Sequence, residues 1–164
     1  MVKKVVLAIS LMSTVCIAEP LTNASDLVGV QLTTNEIARL PSCDATSPDT
    51  VFLGTIKALR TGNLRELYYH FETNYLYSLT GYYDPQGIPA ETTSSFQTVM
   101  IDTNFNNVVI SAYAMTNSNQ ILRVMSSLQE NYSSRTLTGS LILNLRSYAN
   151  GWKIISYDDD KWDE

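Results

Sequence analysis

The sequence predicts an α+β domain, with helices first and an antiparallel sheet after them. Three observations carry that expectation. Between Ser47 and Gly81 the apolar residues recur at spacings of three and four, between residues suited to helix caps. From Asn107 onward the apolar runs are β-rich and separated by polar, turn-prone stretches. The last two runs meet at Asn150-Gly151, a strong short hairpin signal.

Residues 1–18 read as a secretory signal peptide. A basic "MVKK" precedes the apolar "VVLAISLMSTVCIA", and Cys16 and Ala18 are the small residues at minus three and minus one before Glu19. The expectation is an exported chain, periplasmic or secreted, cleaved near Ala18. No later segment is long and apolar enough for a span in the mature chain. Residues 19–46 are polar with little periodicity, apart from a short helix over Thr34–Leu40 before Pro41. They are expected to be an arm or linker.

The domain itself is expected over residues 47–158. Ser47 is a good N-cap, Pro48 fits the first helical position, and Asp49 suits the positive end of the dipole. Phe52, Ile56 and Leu59 give one apolar face, and Gly62 stops the helix. A second helix starts at once, with Asn63 as cap and Glu66 three residues on, as in a capping box. Its stripe is Leu64, Leu67, Tyr68, Phe71, Tyr75 and Leu79, as far as Gly81. Asp84-Pro85-Gln86-Gly87 then reads as a tight turn, and "SSFQTVMIDT" fits a strand or a helix equally well.

Four strands are expected from "VVISAYAM", "ILRVMSSLQ", "LTGSLILNLRSY" and "WKIISYD". With Asn150-Gly151 as a two-residue loop, Ser147 falls opposite Ile154 and Leu145 opposite Ser156. Leu141, Leu143, Leu145, Trp152 and Ile154 then share one apolar face. Ile142, Asn144, Arg146, Tyr148, Lys153, Ile155 and Tyr157 share a mixed one. Asp158, Asp159 and Asp160 cannot converge on one ion from successive strand positions, so residues 159–164 are expected to be a solvated acidic tail.

"LGTIKALRTGNLRELYYHF", followed by four strands ending in "NGWKIISYD", resembles the nuclear transport factor 2-like (NTF2-like, SnoaL-like) superfamily. The resemblance covers residues 48–158 and rests on fold signatures rather than active-site signatures. It implies a strongly curved sheet wrapped around helices as a cone, with a pocket at the wide end. It also implies dimers through the outer sheet face. Members range from isomerases, dehydratases and epoxide hydrolases to ligand binders and interaction modules.

Composition narrows the function. Of 11 Lys and Arg two lie in the leader, so nine basic side chains face 16 acidic ones in the remainder, a net charge of −7. No basic stripe is present, so nucleic acid is not an expected partner. No zinc spacing, phosphate loop or nucleophile elbow occurs, and no metal or cofactor is expected. Cys43 has no partner in the mature chain and reads as incidental.

For catalysis the residues to weigh are His70 and Asp102. His70 lies off the apolar stripe, four residues from Glu66, and is expected to pair with it on the helix surface. Asp102 follows apolar "VMI", in what reads as a polar turn. Tyr113, with Val109, Ser111 and Met115 on its side of the strand, is expected to line a pocket. Tyr77, Tyr82 and Tyr83, with Tyr69, are expected to form a sticky lip. The leading expectation is a non-enzymatic protein binding a small apolar or aromatic ligand or a protein partner. The alternatives are a cofactor-independent lyase, isomerase or hydrolase using His70 or Asp102, and an envelope accessory or immunity-type protein acting through the mixed sheet face at Ile142 and Ile155.

Overall fold

The computed structural model describes residues 19–89 and 105–163, with residues 159–163 as backbone alone. The expected signal peptide and the run containing Asp102 lie outside the described residues. The architecture is α+β, with helices packed on a curled five-stranded antiparallel sheet.

Helix α2 (Pro48–Thr61) forms where its caps place it. Ser47 Oγ accepts the Thr50 N–H at 3.1 Å, and Thr50 Oγ1 accepts the Ser47 N–H at 3.1 Å. That closes a capping box in which Thr50 stands where Glu is usual. Gly62 ends the helix at φ 67°, the left-handed conformation that glycine adopts without a side-chain clash. Burial goes beyond one stripe: Val51, Phe52, Leu53, Thr55, Ile56, Ala58 and Leu59 are all buried. The helix therefore runs through the core rather than over it.

The expected single second helix is two, α3 (Leu64–Tyr69) and α4 (Thr73–Thr80). The break is imposed by the sheet. The His70 carbonyl accepts the Ile154 N–H at 2.7 Å, and the Glu72 N–H donates to the Ile154 carbonyl at 2.8 Å. Glu72 then caps α4, its Oε2 accepting the Asn74 and Tyr75 N–H groups at 2.9 and 3.0 Å. Restarting the helix changes its phase. Leu64, Leu67, Tyr68 and Phe71 are buried as expected, but Leu76 replaces Leu79, which is 54% exposed.

The sheet is a meander in the order β1 (Gln31–Thr33), β2 (Phe105–Ser118), β3 (Ile121–Tyr132), β4 (Thr136–Tyr148) and β5 (Gly151–Asp163). The four β-rich runs fall within β2 to β5. Val108 and Ile110 of β2, Val124 and Leu128 of β3, Leu141, Leu143 and Leu145 of β4, and Ile154 of β5 form the wall behind α2. Four register shifts, two in β2–β3 and two in β4–β5, help to curl the sheet.

Residues 19–46, expected as an arm or linker, belong to the body of the domain. They supply β1, which pairs with β2 through Leu32 opposite Val108, and the short helix α1 (Thr34–Ala38). Ala24, Leu27, Leu32, Ile37, Leu40 and Ala45 are buried. Six apolar side chains spread over polar sequence show no periodicity, yet together they close one side of the core.

The hairpin register is two residues away from the expected one. Tyr148 pairs with Gly151, Ser147 with Trp152 and Leu145 with Ile154, so the turn residues are Ala149 and Asn150. Gly151, at φ 109°, opens β5 instead of sitting in the turn. A slip of two preserves side-chain parity, so Leu141, Leu143, Leu145 and Ile154 still share the core face. A bulge between Asn144 and Leu145 then sets Tyr157 opposite Leu143. Tyr157, expected on the mixed face, packs against the core instead. The acidic run is likewise no tail in its backbone, since Asp159, Asp160 and Asp163 pair with Leu141, Ser140 and Thr138. Among the described residues no helix is long and apolar enough to cross a membrane.

Candidate functional site

His70 sits where α3 ends, and its ring is turned inward. It is fully buried, and neither ring nitrogen has a hydrogen-bond partner. A Cβ built on Gly54 of α2 would lie 2.7 Å from Nε2, which measures how closely helix and ring approach. Burial, and secondarily Lys153, pushes its pKa down to about 4, while Asp44 pulls the other way. This corrects the expected surface pair with Glu66. A neutral imidazole sealed from solvent is also poorly placed to exchange protons with a bound substrate.

Tyr113 is committed elsewhere. Its hydroxyl donates to Asp49 Oδ1, and its ring lies 4.9 Å from that of Phe52. Burial first, and then the Asp49 carboxylate, hold the phenol well above its usual range. Asp49 Oδ2 also accepts the Ala24 N–H at 3.3 Å, so this group ties the N-terminal segment, α2 and β2 together. The β2 bulge between Ile110 and Ala112 puts Tyr113 and Met115 on the face of Val108 and Ile110, not on that of Val109.

The remaining tyrosines do assemble. Tyr77 of α4 and Tyr83 stack with centroids 4.2 Å apart and planes 8° from parallel. They are 46% and 58% exposed, and Tyr82 beside them is also exposed. Beyond Tyr83, Asp84 Oδ1 accepts the Gln86 N–H at 2.9 Å and starts a 3-10 turn over Pro85–Gly87. Arg65 reaches that turn from α3, donating to Gln86 Oε1 at 3.5 Å.

Between α3 and the turn lies a cleft of about 400 Å³, walled by Cys43, Asn63, Arg65, Glu66, Tyr69 and Asp84 to Gln86. Asn63 Oδ1 caps α3 by accepting the Glu66 N–H at 3.3 Å, but only half of the expected capping box forms. The Asn63 N–H donates to the Ala58 carbonyl at 3.0 Å, and Glu66 Oε2 is buried with no partner. Lys153 stands over the Tyr69 ring at 4.2 Å and donates to the Tyr69 carbonyl at 2.8 Å. Burial, followed by Glu66, raises the pKa of the exposed Cys43 thiol, which keeps it protonated and a poor nucleophile.

Comparison with protein-family models finds no match to this chain, and comparison with curated proteins finds none. The site therefore has to be read from its own geometry.

A second, largely buried cluster joins α2 to β3. Arg60 of α2 forms an ion pair with Glu130 of β3, whose other oxygen accepts the Tyr132 hydroxyl at 2.8 Å. The guanidinium lies 5.3 Å from the Phe105 ring centroid. Every group here faces a partner, so the cluster reads as structural. Sequence analysis missed it because Arg60 and Glu130 are far apart in the chain. A glutamate in an alternating apolar strand, on the side of Val124 and Leu128, was the available signal. Among the described residues no group of three His, Cys, Asp or Glu side chains is set to hold a metal.

Proposed function

We propose that the protein is an exported binding protein with an NTF2-like fold. It takes a small apolar or aromatic ligand at the lip of Tyr77, Tyr82 and Tyr83, which the chain continues into the wall of the cleft at Asp84. The observation that carries this reading is the exposed Tyr77–Tyr83 stack, whose Tyr83 directly precedes in the chain Asp84, a wall residue of a cleft of about 400 Å³. Two stacked, nearly parallel rings left in solvent offer a flat apolar surface, and a cleft of that size suits a small organic molecule. Catalysis by His70 is disfavoured by its complete burial.

Native mass spectrometry of the protein purified from an exporting host tests the reading. A small molecule should accompany the wild type and be lost from Tyr77→Ala/Tyr83→Ala, with the circular dichroism unchanged. A ligand-free wild type, or a ligand retained by the double variant, sinks the assignment to the lip.

A further inference from the structure

The hairpin between β2 and β3 turns through Asn119 and Gln120, with Ser118 paired to Ile121. Both turn residues have positive φ, 49° and 65°, as a two-residue type I′ turn requires. Asparagine suits the first position, but glycine is usual at the second, and a glutamine held there is strained. Its exposed side chain makes no hydrogen bond to another described residue, so local bonding does not explain the choice.

Gln120 borders a cavity of about 310 Å³ with Asn117, Leu122, Arg146, Ser147 and Trp152. Asn117 lies opposite Leu122, Leu122 opposite the buried Leu145, and Ser147 opposite Trp152. These four therefore continue the core face of the sheet past the end of the core, and Leu122 and Trp152 pack against it. Arg146 pairs with Lys153, which turns its side chain to the other face and leaves the inner wall without a formal charge. Among the described residues, the side chains of Asn117, Gln120, Ser147 and Trp152 make no hydrogen bonds to other residues.

We propose that this cavity binds an uncharged sugar ring, stacked on the Trp152 indole and held through its hydroxyls by Asn117, Gln120 and Ser147. Amide and hydroxyl side chains both donate and accept, as sugar hydroxyls do, whereas a wall without charge gives an ammonium or a carboxylate nothing to pair with. The C–H face of a pyranose offers the indole an apolar surface, and the volume is that of a small-molecule site. The strained turn then serves to hold an amide at the rim. This cavity shares no wall residue with the cleft at Asp84, so it stands or falls apart from the tyrosine lip.

The test is a ¹H–¹⁵N titration of the full chain with the methyl glycosides of glucose, galactose, mannose and N-acetylglucosamine, on wild type and Gln120→Gly. At least one glycoside should shift the Trp152 indole N–H and the Asn117 and Gln120 side-chain amides. Gln120→Gly relieves the turn, so its denaturant midpoint should rise, while its affinity should fall about ten-fold. Silence at those signals with all four glycosides up to about 50 mM overturns the inference. So does undiminished affinity in Gln120→Gly, or a lower denaturant midpoint, which would make Gln120 a structural residue of the turn. Tighter binding of methyl glucuronide than of methyl glucoside overturns the assignment to an uncharged ring.

Discussion

Glu130 and Glu66 are both glutamates with a buried carboxylate oxygen, and the fold treats them in opposite ways. Glu130 faces Arg60 and the Tyr132 hydroxyl, with Phe105 against the guanidinium. Glu66 has a buried oxygen with no donor, at the wall of an open cleft. A buried charge that is fully paired belongs to the architecture, since removing one partner strands the other. An unpaired buried oxygen costs stability that no contact within the fold offsets.

The comparison breaks first, and hardest, at the Arg60–Glu130 cluster. Glu130→Ala leaves Arg60 buried without its counter-ion and should destabilise the protein by about 3 kcal/mol or more. A denaturant midpoint within error of wild type would show that the pair adds nothing and that the contrast is false.

Next in size is the pH response of His70, a further buried polar group with no hydrogen-bond partner among the described residues. Its folded pKa of about 4 lies below the ordinary 6.5, so the unfolded chain takes up protons that the folded chain refuses. The stability contributed by neutral His70 is complete above pH 6.5 and is lost as the pH falls toward 4, at roughly 1.4 kcal/mol per unit. The unfolding midpoint should drop between pH 7 and pH 4.5, and His70→Gln should flatten that slope. Parallel slopes in the two proteins would place the titration elsewhere.

The smallest expected effect sharpens the other side of the comparison. Glu66→Gln breaks no intramolecular partner and should change stability by less than about 0.5 kcal/mol. A loss comparable to that of Glu130→Ala would mean that Glu66 is structural.

The exposure of Tyr77, Tyr82 and Tyr83 was legible in the sequence, because they stand off the helix stripe or in a loop, and local position suffices to expose them. Glu66 was legible only as a capping residue, and His70 only as a surface one. Both readings assumed an uninterrupted helix from Asn63 to Gly81, whereas two backbone hydrogen bonds from Ile154 interrupt it at His70 and Glu72. Tyr113 was misplaced for a similar reason, since a bulge in β2 reset which residues share its face.

The sequence by itself determined α2 with its caps, the start of α3, the four long strands, and the apolar face of the final hairpin. These depend on groups within a few residues of one another, on caps, turns and side-chain alternation, and a register slip of two leaves alternation intact. The tertiary structure alone decided the recruitment of residues 19–46, the break that buries His70, the Arg60–Glu130 pair and the isolation of Glu66 Oε2. Each of these needs a partner brought in by the sheet, and hydrogen bonding and burial depend on which groups meet in space rather than on their order along the chain.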